Sequence, residues 1–70
     1  MIVQISITNQ FGDFLGKKVN LSESQYQKLV EMVRNFYSNG GFELTLENED
    51  FVVFPPEIVK NSFIKIIKID

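Results

Sequence analysis

Glu43 and Glu47 stand four residues apart in the alternating run Phe42-Glu43-Leu44-Thr45-Leu46-Glu47, so a strand carries both carboxylates on one face. A pair of carboxylates is the arrangement that performs general acid–base work. The chain has no histidine and no cysteine, so carboxylates and lysines are its available acids and bases. The same alternation also describes an ordinary solvated face. A domain this short leaves little room for a reaction cavity of about 300 Å³ or more. The expectation is a protein that is not an enzyme, with no catalytic residue and no cofactor. Glu47, Asn48, Glu49 and Asp50 gather oxygen donors but lack the one-three-five ligand order and the glycine of a calcium loop. They read as a polar hairpin turn, and no metal is expected.

Lysines offer a second chemistry. Lys17 and Lys18 lie on an early strand; Lys60, Lys65 and Lys68 lie on the last connector and strand. Were those strands on one side of a sheet, a basic strip would form, with aromatic side chains between the charges as in single-strand-binding surfaces. Against it stand a formal net charge of −2 and Arg34 as the only arginine. Lysines on edge strands also guard against edge-to-edge aggregation. Nucleic-acid binding is therefore the alternative reading.

Recognition of another protein is the leading one. Met32 lies off the main apolar stripe of its helix, Phe11 sits in a glycine-containing turn, Phe14 has no assured place in the core, and Tyr37 closes the helix. Aromatic residues and methionine are enriched at the centres of interfaces. Phe11, Phe14, Met32 and Tyr37 are thus candidate anchors, with Glu43 and Glu47 steering a basic partner.

The elements that position these residues follow from periodicity. Residues 2–8 alternate, with Val3, Ile5 and Ile7 on one face, and predict a half-buried strand. A break at Asn9, Gln10, Gly12 and Asp13 precedes a second strand over 14–19, weakened by Gly16, Lys17 and Lys18. Leu21-Ser22-Glu23-Ser24-Gln25-Tyr26 opens a helix: Ser22 is the N-cap, Gln25 closes a capping box, and Leu21 and Tyr26 suit a hydrophobic staple. Tyr26, Leu29, Val30, Val33, Phe36 and Tyr37 form its apolar stripe. Gly40 or Gly41 can take a left-handed cap. Residues 42–47 and 51–54 make a hairpin. Phe51-Val52-Val53-Phe54 is apolar on both faces, which predicts a strand that is central or covered on both sides. Pro55 and Pro56 stop it. Residues 57–61 form a connector anchored by Ile58 and Val59, and 63–69 a last strand. There Lys65 and Lys68, three apart, favour a bulge near Ile66 and Ile67 over a regular strand with snorkelling lysines.

The order is ββαβββ: an α+β two-layer sandwich, one amphipathic helix packed on a mainly antiparallel five-stranded sheet, in a single domain over 1–70. Seventy residues, 31 of them apolar and mostly large, must form this core without disulfide or metal staples. That surplus predicts a homodimer. No stretch has the ~20 apolar residues of a transmembrane helix. No membrane association is expected, and a cysteine-free chain fits a reducing cytoplasm.

The run from Leu21 to Tyr26 with its helix, then Phe42-Glu43-Leu44 and Phe54-Pro55-Pro56-Glu57-Ile58-Val59-Lys60-Asn61-Ser62, resembles small phage- and prophage-encoded proteins of low-GC Gram-positive bacteria. The alanine-free, Lys/Ile/Asn/Phe-rich composition is similar to theirs. The resemblance implies a small single-domain cytoplasmic protein that binds a larger host protein, such as a defence effector, as anti-CRISPR inhibitors do, and that commonly dimerises. It carries over no functional residue.

Overall fold

In the computed structural model the described residues are 1–69, and the side chains of Tyr37, Ser38 and Asn39 lie outside the description. The central strand β1 (Ile2–Asn9) turns tightly through Gln10 and Phe11 into β2 (Gly12–Leu15). Gly12, with φ +127°, supplies the left-handed backbone this turn requires. Asn9 Oδ1 accepts the Phe11 N–H at 2.8 Å and holds the turn from its own side chain. On its other edge β1 pairs antiparallel with β6 (Phe63–Lys68).

The strand expected over 14–19 is broken. β2 pairs with Ser6–Asn9, and β3 (Val19–Asn20) pairs with Ile2 and Val3. Between the two pairings the register slips by one residue, which places a bulge at Gly16–Lys18 opposite Ile5 and Gln4. At the bulge the backbone serves two sheets. Gly16 donates to Ile5 O at 2.8 Å and bridges Leu46, while Lys17 donates to Thr45 O at 3.0 Å. A Cβ on Gly16 would stand 2.8 Å from Leu44 Cδ1 and 3.2 Å from Ile5 O, so glycine lets the strands approach this closely.

The expected single five-stranded sheet is therefore corrected. The described residues form six strands in two sheets, with the hairpin of β4 (Phe42–Thr45) and β5 (Phe51–Phe54) joined to the larger sheet at Gly16. The α+β class and the antiparallel pairing hold.

Helix α1 (Glu23–Asn39) begins as its sequence dictates: Ser22 Oγ accepts the Gln25 N–H at 3.2 Å, and Gln25 Oε1 accepts the Ser22 N–H at 2.8 Å. Its end differs from expectation. Gly40 caps it in extended geometry, φ −149°, and among the described residues the only glycine with positive φ is Gly12. Gly41 is needed for space: a Cβ there would lie 2.7 Å from the Phe54 carbonyl oxygen.

Val33 of α1 joins Ile7, Phe42, Leu44, Phe54 and Val59 in the core, with Leu29 and Phe36 packed against them. Phe36 meets Phe42 edge-on at 4.5 Å between ring centres. The connector is α2 (Pro56–Lys60), which starts on Pro56, where a missing N–H costs no bond, and buries Val59.

The last strand has no bulge. Its register runs unbroken from Thr8↔Phe63 to Val3↔Lys68. Ile64, Ile66 and Lys68 therefore share one face, and Phe63, Lys65 and Ile67 the other. Lys68 is tolerated on the helix side because it lies at the strand's end, its ammonium 4.8 Å from the centre of the Tyr26 ring. The chain thus carries its bulge in the edge strand across β1.

Candidate protein-interaction surface

The strand expected to be covered on both faces is a sheet edge. β5 pairs with β4 only, and among the described residues no strand lies along its far side. Phe54 is buried against Phe14, the two rings edge-on at 5.1 Å. Phe51 and Val53 point the other way and are 61% and 58% exposed. The reason is local. A tight turn precedes these four residues and two prolines follow, so the chain leaves before another strand can cover them. In the turn, Asn48 Oδ1 accepts the Asp50 N–H at 3.0 Å and Glu49 adopts φ 75°.

Opposite Val53 on β4 stands Glu43, and opposite Phe51 stands Thr45. Val53 and Glu43 border a hollow of about 420 Å³ whose helical wall is Met32 and Phe36. Met32 is 52% exposed. Of the candidate anchors, Met32 and Glu43 thus meet beside Val53. Phe11 is separate, exposed at the tip of the β1–β2 turn. Phe14 belongs to the core, where its ring packs on Phe54. Tyr37 lies outside the described side chains.

Glu47 does not extend an acidic face with Glu43. Its carboxylate accepts from Gln4 Nε2, which also donates to Gly16 O at 3.1 Å. Gln4 is thereby buried with partners, although the strand's alternation assigned it to the polar side. Glu47 also borders a shallow hollow with Lys17 and Lys18. Lys17 itself pairs with Glu49 at 2.9 Å on the surface.

The lysines do not gather into a strip. Lys17 and Lys18 lie at the bulge on one side of β1, while β6 lies on the other. Lys65 and Lys68 face opposite ways, and Lys60 ends α2. Among the described residues no helix is long and apolar enough to cross a membrane.

A larger opening lies where the sheets part. It is a groove of about 610 Å³ between α1, β3 and β4, with Ile5, Val19, Leu29, Met32, Phe42 and Leu44 on its walls. From its length, a domain this small is expected to leave little room for such a space. The bulge opens it by directing two strands apart.

Phe51, Val53 and the groove were missed because apolar strands were assigned to the interior. The available signal was the bracketing of residues 51–54 by a turn and two prolines. No family model matches the chain, and no curated protein and no solved structure matches it.

Proposed function

We propose that the protein is a small protein-binding module, of the kind phages encode to inhibit or modulate a larger host protein such as a defence effector. Its contact surface is the outward face of the β4–β5 hairpin. One observation carries the reading: Phe51 and Val53, on a strand whose composition suits an interior, stand open to solvent, with Met32 across the hollow that Val53 borders. Large apolar side chains grouped this way are typical of the centre of an interface, with Glu43 and Thr45 supplying a polar border. A host protein docked here would have its own site occluded by an 8.1 kDa body.

The test is affinity capture from a Gram-positive lysate with the native chain and with Phe51→Lys and Val53→Lys, followed by titration of the purified captured protein. The expected result is a protein retained by the native chain and lost with both variants, whose circular dichroism is unchanged. Retention by all three chains refutes the surface.

A further inference from the structure

The groove between the two sheets has an unpaired strand edge as well as an apolar floor. Thr45 accepts from Lys17 N–H at 3.0 Å, and Glu47 N–H donates to Leu15 O at 3.2 Å. At Lys18 the chain turns away to pair with β1 as β3, and among the described residues no strand pairs with β4 on that side as it continues toward Phe42. Backbone groups alternate sides along a strand. Thr45 and Glu47 turn theirs toward residues 15–17, so Glu43 turns its N–H and C=O the same way, into the gap.

The electrostatics of the gap have one dominant sign. Lys18 stands at its mouth next to Lys17, whose charge Glu49 already pairs, and Lys28 borders its extension along α1, a second hollow of about 390 Å³ that shares Ile5, Val19, Leu29 and Met32. Glu43 is the one carboxylate on these walls. Among the described residues Lys18 and Lys28 have no ion-pair partner. Both side chains are exposed.

We propose that this groove binds an extended acidic segment of a partner protein, added as a strand against Glu43 on β4. The segment would continue the pairing that Leu15–Lys17 begins. Its backbone bonds to the Glu43 N–H and C=O, alternate apolar side chains enter between Val19, Met32 and Leu44, and its carboxylates meet Lys18 and Lys28. This site lies on the other side of β4 from β5; it shares Met32 and Glu43 with the hairpin surface but uses neither Phe51 nor Val53. A basic segment would meet like charge at the mouth, and a regular helix would leave the Glu43 backbone groups unpaired.

The probe is a set of labelled peptides of about nine residues, each alternating Val or Ile with Asp or Glu, and a matched set with Lys in place of the acids. Binding to the full chain is read by fluorescence anisotropy, and the site by amide hydrogen exchange. The expected result is an acidic peptide bound at least about tenfold more tightly than its lysine counterpart, with affinity falling as salt is added. Exchange of the Glu43 amide should slow on binding. The double variant Lys18→Glu, Lys28→Glu should reverse the preference, and Lys18→Gln, Lys28→Gln should abolish it if the reversal disturbs folding. Val53→Lys should leave peptide binding unchanged. Equal affinity for both sets, no binding up to about 1 mM, or protection on β5 instead of Glu43 overturns the proposal. Loss of the captured host protein in Val53→Lys while peptides still fail to bind would sink the groove alone. Peptide binding with no effect of Val53→Lys on capture would sink the hairpin reading alone.

Discussion

At the residue scale the strongest local device is the capping box of α1. Ser22 Oγ satisfies the Gln25 N–H, one of the donors a helix start leaves unpaired. Ser22→Ala should cost about 0.5–2 kcal/mol. A melt then falls by about 4–8 °C for each kcal/mol in a domain of this size; an unmoved melt would deny the cap any role. The two adjacent glycines should behave differently. Gly41→Ala brings a Cβ within 2.7 Å of the Phe54 carbonyl, a backbone atom that cannot step aside, and should cost about 1–3 kcal/mol. Gly40→Ala meets only Phe36 Cδ1 at 3.7 Å, in a backbone conformation open to any residue. It should be neutral or slightly stabilising, through a less flexible unfolded chain. Equal losses at the two positions would show that close approach to Phe54 is not the reason for Gly41.

At the scale of elements, β5 separates packing from recognition within four residues. Phe54 is 4% exposed and meets Phe14, so Phe54→Ala should destabilise by about 3–5 kcal/mol. Val53→Lys, on the opposite face, should stay within about 0.5 kcal/mol of the native chain when both are held at a concentration at which each is a single chain. Urea titration of both variants checks the contrast, and comparable losses would mean that Val53 has a cover. β6 makes a parallel distinction with charge. Lys68 reaches the Tyr26 ring while Lys65 faces outward, so a double-mutant cycle should find coupling of about 0.5–1 kcal/mol for Lys68 with Tyr26 and none for Lys65. The start of helix α1 was legible to the residue because it is determined by contacts three residues apart. The lysine spacing of the last strand was ambiguous because a bulge and a regular strand both fit it; pairing with β1 along six residues selected the regular form.

The whole molecule exposes 4697 Å², close to the ~4,500 Å² that its mass predicts for a folded monomer. Its stability rests on a small cluster around Ile7, Val33 and Phe54, without covalent staples. Among the described residues the open strand edges include those along β5 and along β6, besides the stretch of β4 at Glu43. Lys65 and Lys68 lie on β6, whereas β5 has no charged residue and no proline within it. The expected assembly is a symmetric dimer formed along β5. A two-fold axis at Val52 would keep the faces of the two hairpins continuous and set Phe51 beside Val53 of the second copy. Light scattering after size exclusion should give the mass of two chains at micromolar concentration, and the melting temperature should rise with concentration. A one-chain mass across about a tenfold concentration range would refute the dimer.

The sequence by itself determined what depends on near neighbours. The capped helix, the alternating strands, the polar turn at Asn48 and the proline stop after Phe54 all follow from residues within one turn or one pleat of each other. Tertiary structure decided which strand lies beside which, because pairing joins residues far apart in the chain and one slipped residue redirects an edge. That slip, at Gly16–Lys18, divides the sheet, opens the groove beside Glu43 and leaves β5 at an edge. Apolar content alone could not distinguish Phe54, which the core encloses, from Phe51, which it leaves in water: the two have the same side chain, and only the pleat and the missing neighbour of β5 tell them apart.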